Sequence, residues 1–418
     1  MKTRSRELLG RFKKSKDGKI LASNFGYLML LQIAGYVFPL ITIPYLARVI
    51  GVDGFGKIAF AAAIVAWLQT ICDWGFTYTA TRDVARNRND LERVSEIYSN
   101  VFWARTSLAL LSFIALCLLI LIIPYFNENK TILFVTFLIV PAHILFPDWF
   151  FQAMERMKYI TILNLSSKAF FTLLVFILIK SKEDYILQPA LMASGFFVAG
   201  FGALYLIHAK WGVVLKKPKI TEVLGTLKNS FDVFLNSLMP RFYKSFSVIL
   251  LGFFGGSFAN GLLDAGSKFV SISQQLLDVV SRVFFPALSR KIEMHNIYAY
   301  GSLVLSVIAC FFLYILSPFI INVFYTPEFV DAIVVLKILS FSLFFITLSR
   351  VYGTNLLILI GKEKLLRNIT LVSSLIGFFT ALPMVYYFSY IGAALNIAIT
   401  RAILGTSVAY FAKKESKK

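Results

Sequence analysis

Residues 264–282, DAGSKFVSISQQLLDVVSR, carry Asp264, Lys268, Ser271, Gln275, Asp278 and Arg282 at intervals of three and four. On a helix turning about 100° per residue, all six fall within about 40° of one line, with Phe269, Ile272, Leu276, Val279 and Val280 opposite. Carboxylate, ammonium, hydroxyl, amide and guanidinium groups in a row can do two things. They can hold a polar solute along a path, or they can close on themselves as i,i+4 ion pairs, Asp264 with Lys268 and Asp278 with Arg282. Pairing alone gives no reason for Ser271 and Gln275 to share the line. Similar spacing recurs in Ser237, Arg241 and Lys244, which have no carboxylate between them, and in Thr161, Asn164, Lys168 and Thr172. Asp73 shares a face with Gln69, and Lys337, Arg350 and Arg401 add further cations.

The elements that must position these groups are set by composition. The chain has 418 residues, 58% of them hydrophobic and only 15% charged, with mean hydropathy +0.74. Twelve apolar runs are long enough to cross a bilayer: about 25–47, 57–79, 101–123, 131–152, 160–180, 186–208, 231–253, 258–284, 299–321, 331–360, 366–388 and 391–412. The longest connections, about 80–100 and 209–230, leave no room for a soluble catalytic domain. The expected fold is therefore all-α, a polytopic membrane protein whose chemistry lies among its helices.

Inside a membrane a charged side chain costs about 2.5–3.5 kcal/mol at mid-span, so the stripe is expected to face the bundle interior. Eighteen residues rise about 27 Å, close to the hydrocarbon thickness, which suits a path better than a single contact. Lys168, Lys337 and Arg401 have the alternative of reaching an interface with their long stems. The clear carboxylates within the spans are Asp73, Asp264 and Asp278, fewer than the cations. A wet cavity with surplus positive charge favours an anionic solute, and Arg donors suit phosphate or diphosphate. Hydroxyls and amides with nearby Tyr and Trp would suit sugars.

The formal net charge of +20 follows topology. With a cytoplasmic N-terminus, 30 of the 42 Lys and Arg fall in the tails and cytoplasmic loops, while the opposite loops hold only Arg48, Lys57, Lys130, Lys180 and Lys182. The positive-inside rule then places both termini in the cytoplasm and leaves no nucleic-acid footprint to explain. The first apolar span is too long for a signal-peptide core and is expected to be retained. Cys72, Cys117 and Cys310 fall in different spans and His143, His208 and His295 are scattered, so neither a disulfide framework nor a metal or catalytic cluster is expected.

The halves on either side of 209–230 show a faint likeness. QAMERMKYITILNL resembles LIGKEKLLRNITLV, with Glu155 and Glu363 in register, and the glycines of RVIGVDGFG fall near those of GFFGGSFANG. The expected organisation is a basic tail (1–24), a six-helix lobe (25–208), a basic linker (209–230), a second six-helix lobe (231–412) and a basic tail (413–418), with the lobes around a central cavity.

The segments FPLITIPYLARVIGVDGFGKIAF (38–60), DWGFTYTATRDVAR (73–86), PDWFFQAMERMKYI (147–160), SRVFFPALSR (281–290) and YTPEFVDAIVVLKIL (325–339) resemble those of bacterial O-antigen transporters. That family belongs to the multidrug, oligosaccharidyl-lipid and polysaccharide exporter superfamily. Ala153 departs from the pattern, where a glycine is expected before the glutamate. The resemblance implies a multi-pass inner-membrane flippase, not an enzyme, that moves undecaprenyl-diphosphate-linked oligosaccharide from the cytoplasmic to the periplasmic face by alternating access. It also implies contact with other polysaccharide assembly proteins such as a polymerase. On helical geometry, Arg48, Arg241, Lys244, Lys268, Ser271, Gln275, Arg282 and Arg350 are candidates to hold the substrate. No bound cofactor is expected; Asp73, Asp264 and Asp278 are candidates for coupling to a proton or sodium gradient. The alternatives are a cation-coupled multidrug exporter of the same superfamily, which favours carboxylates over surplus arginine, and a membrane glycosyltransferase or polymerase, which needs a catalytic extramembrane loop.

Overall fold

The computed structural model describes residues 16–290 and 295–416; for residues 16–25, 28, 236, 282, 283, 285–287, 289 and 290 it describes the backbone alone. Every regular element among them is helical. In chain order these are α1 (Lys16–Asp73), α2 (Phe76–Arg86), α3 (Leu91–Ile122), α4 (Pro124–Glu128), α5 (Lys130–Phe137), α6 (Ile139–Leu145), α7 (Asp148–Ala153), α8 (Met157–Leu178) and α9 (Leu187–Leu204). They continue with α10 (Ile220–Leu238), α11 (Arg241–Arg290), α12 (His295–Phe324), α13 (Ala332–Ser349) and α14 (Glu363–Glu415).

Nine helical stretches among the described residues are long and apolar enough to cross a membrane. Three are too long for one crossing: α1, α11 and α14 have 58, 50 and 53 residues, and about 1.5 Å per residue makes each more than twice the hydrocarbon thickness. Each reverses at one residue, Gly51 (φ 66°, ψ −176°), Gly256 (φ 73°, ψ −173°) and Ser389 (φ 51°, ψ −130°). The two glycine turns have nearly the same backbone angles, in the region that favours a residue without Cβ. Divided at the three reversals, the nine stretches give twelve segments among the described residues, the number expected from hydropathy. Many large apolar side chains remain exposed, Leu121 and Phe319 among them, as a lipid-facing surface requires.

The halves meet through a matched pair of glycines. Val52 and Ser257 each follow a glycine reversal by one residue, and Gly56 and Gly261 each lie four residues further on. A Cβ on Gly56 would run into the Ser257 carbonyl, and one on Gly261 into the Val52 carbonyl. The contact is thus reciprocal, with each half presenting a carbonyl and receiving one at a glycine. Around it, Asp53 Oδ1 accepts from Ser257 Oγ at 2.6 Å, Lys182 faces Glu328 at 3.9 Å, and the Phe55 ring packs against Tyr325 and Phe329. This end of the molecule is sealed.

One apolar core joins α1 beyond Phe60 to α3, α5–α7 and α9; another joins the Ile43–Phe55 stretch of α1 to α11, α13 and α14. The seventh crossing departs from the single span expected at 231–253. A helix begins inside the expected linker, at Ile220, and stops ahead of Pro240, where a missing backbone N–H and the ring break the ladder. Its first piece, α10, docks on the N-terminal half: Trp74 Nε1 donates to Leu227 O at 2.9 Å, the Trp74 and Phe234 rings stack at 4.0 Å, and Thr79 and Ser230 hydroxyls meet at 2.8 Å. The preceding strand-like stretch is held along α3, with Val214 N donating to Ser95 Oγ, Lys216 N to Ser99 Oγ and Trp103 Nε1 to Lys216 O.

Candidate functional site

Below the sealed end, a cavity of about 590 Å³ lies between the halves. Both arms of α1, together with α8 and α9, form one wall, and both arms of α11 with Ile397 of α14 form the other. The amphipathic stripe lines it: Asp264, Ser267, Lys268, Ser271 and Gln275 all contribute, so the face that would be costly in lipid is turned inward. At the far end of the stripe Gln32 Nε2 donates to Gln275 Oε1 across the halves at 3.5 Å.

The cavity cations are not equivalent. Lys268 Nζ donates to Asp264 Oδ2 at 2.5 Å and sits 4.4 Å from the centroid of the Phe55 ring, across the interface between the halves. The i,i+4 pair read from sequence is therefore present at Asp264. Lys244, exposed on the α11 wall, and Lys168, on the α8 wall beside Gly35, have no carboxylate within ion-pair distance among the described residues. Two ammonium groups on facing walls thus line the same cavity with no ion pair of their own among the described residues.

The remaining candidates lie elsewhere. Arg350 pairs with Asp278 inside the C-terminal half; the expected i,i+4 pair with Arg282 falls on a side chain outside the described residues. Arg48 is exposed, one turn from the Gly51 reversal, and does not line the cavity. Arg241 is half-buried just past Pro240, within electrostatic reach of Asp73. Asp73 accepts from Arg105 Nη2 at 2.6 Å and from Gln69 Nε2 at 3.1 Å, so it is engaged within the N-terminal half. Arg105 is buried inside α3; the long start of that helix, capped by Asp90, carries it into the bundle. Arg401 is also buried, donating to Ser342 Oγ at 2.8 Å, and Lys337 lies over the Tyr314 ring.

Sequence reading missed Asn260. It lines the cavity at the sealed end, is fully buried, and neither Nδ2 nor Oδ1 has a hydrogen-bond partner. The signal was available, since Asn260 stands one helical turn before Asp264 on the same line.

Comparison with known proteins places this geometry. Residues 21–292 match the family described as polysaccharide biosynthesis protein. The chain is 27% identical over 403 residues to a "Putative O-antigen transporter" of Escherichia coli (strain K12), covering 94% of this chain and 97% of that one. It is 27% identical over 394 residues to a protein of the same description from Shigella dysenteriae, covering 92% and 98%. Among solved structures, the lipid II flippase MurJ in an inward closed conformation superposes with a TM-score of 0.72 at 16% identity, covering 92% of this chain and 87% of that one. An inward-facing multidrug resistance MATE family transporter of the MOP superfamily gives 0.68 at 14% identity, covering 92% and 98%. At such identities the likeness is one of fold.

Proposed function

The chain belongs to the polysaccharide biosynthesis protein family, and from that premise we propose that it is a flippase for undecaprenyl-diphosphate-linked oligosaccharide, acting from the cytoplasmic to the periplasmic face of the bacterial inner membrane. The observation that carries the reading is the pair of unneutralised ammonium groups, Lys168 and Lys244, on facing walls of one inter-half cavity. A diphosphate between them supplies the missing counter-charge, while the hydroxyls and amides of Ser245, Ser267, Ser271, Gln188 and Gln275 suit sugar hydroxyls. The prenyl chain stays in lipid, where its burial costs nothing.

With both termini cytoplasmic, the sealed end is periplasmic and the cavity faces the cytoplasm, the side on which the substrate is loaded. Export then requires the Asp53–Ser257 and reciprocal glycine contacts to part and the cytoplasmic side to close. A coupling ion would act at a cavity carboxylate, and Asp264, held by Lys268, is the one lining the path among the described residues.

The test compares lipid-linked glycan on the two faces of the membrane. Deleting the gene should leave the glycan on the cytoplasmic face. Lys168→Ala with Lys244→Ala should give the same accumulation at normal protein abundance. Normal surface glycan in an abundant double variant would sink the cationic-cavity reading, and export of cationic dyes with no glycan defect would favour a drug exporter.

A further inference from the structure

Asn260 is a buried amide near the sealed end with no hydrogen-bond partner among the described residues. A buried amide normally finds partners, because each unmade hydrogen bond carries the full desolvation cost of the group. Here both Nδ2 and Oδ1 are orphaned at 0% exposure, with Nδ2 close against Gly252 of the other arm of α11. Asn260 continues the stripe through Asp264 and Lys268, so its helical position faces the cavity rather than lipid.

Its depth matters. Lys244 and Lys268 each stand twelve residues from the Gly256 reversal on opposite arms of α11, whereas Asn260 is four residues from it. At about 1.5 Å per residue its Cα lies about 12 Å nearer the sealed end than theirs. The chemistry excludes two parts of a prenyl-diphosphate glycan from this position. A prenyl chain would leave the amide unsatisfied. A diphosphate, whose oxygens only accept, would leave the amide Oδ1 unmatched. Uncharged groups that both donate and accept, a sugar hydroxyl or an acetamido group, match an amide on both counts.

Resting on the flippase reading above, we infer that Asn260 contacts the saccharide of the substrate and sets which sugar is accepted at the apex of the cavity, with the diphosphate held below at Lys168 and Lys244. The saccharide thereby enters first toward the sealed end, and the orphaned amide is satisfied only when a hydrogen-bonding substrate fills the apex.

The experiment measures binding by the purified full-length protein of two probes: a prenyl diphosphate without sugar, and the lipid-linked glycan extracted from the bacterium that makes it. Asn260→Leu should weaken the glycan-bearing probe by roughly 10- to 100-fold, the loss expected from one buried polar contact, and leave the sugar-free probe unchanged. Asn260→Ser, which keeps a hydroxyl, should fall between and serves if the leucine variant does not fold. Lys168→Ala with Lys244→Ala should weaken both probes. The assignment is overturned if the Asn260 variants bind both probes as the wild type does, if they lose both in parallel, or if the wild type does not distinguish the probes. A wild type that binds neither probe overturns the flippase reading itself.

Discussion

At the scale of single residues, the cavity separates cations that hold the protein together from cations that wait for a solute. Lys268 neutralises Asp264, and removing it leaves a carboxylate unpaired in a half-buried place. Lys268→Ala should therefore lower membrane abundance through a loss of about 1–3 kcal/mol, and Asp264→Asn with Lys268→Gln should restore it. Lys244→Ala strands no carboxylate among the described residues, so abundance should hold while surface glycan falls. Quantifying both for each variant tests the division; equal abundance losses at the two lysines would refute it. The stripe from Asp264 to Gln275 was legible because a period near 3.6 turns polar residues to one side. Arg350 as the partner of Asp278 was not, because the two are far apart in sequence and only packing brings them together. Asn260 escaped because one amide in GFFGGSFANGLL reads as a turn residue until the stripe is extended upward.

At the scale of elements, the sealed end depends on two glycines acting as a pair. Gly261→Val should push the Val52 carbonyl away and part the halves there, whereas the same change at Gly225, with open space around it, should not. Oxidative cross-linking between Asp53→Cys and Ser257→Cys reads the result, since these side chains meet in the sealed state. The cross-link should form in the parent and in the Gly225 variant and decline with Gly261→Val; an unchanged yield would show that the contact tolerates a side chain. The number of crossings was legible from hydropathy, because the membrane demands length and apolarity of every one. The break at Pro240 was less so. A proline inside an apolar run signals a possible kink, but only tertiary packing decides that the preceding helix leaves for the other half.

At the scale of the whole molecule, the lopsided placement of Lys and Arg predicts topology. Reporter fusions after residues 90, 220, 295 and 364 should report cytoplasm, and those after 128, 184, 257 and 327 periplasm. A periplasmic signal at 220 would break the parallel arrangement of the halves. The docking of α10 alters what the connection between those halves can do. A loose linker would let them move independently, but here the stretch before Ile220 is stitched to α3 and α10 is clamped under Trp74, so the flexible part shrinks to the peptide bonds around Met239 and Pro240. If the halves rock, those bonds become a pivot with almost no slack, and displacement grows with distance from it. Arg241 and Lys244, within about a turn of the pivot, would stay nearly still like the fulcrum of a lever, while the tip at Ser257 travels furthest.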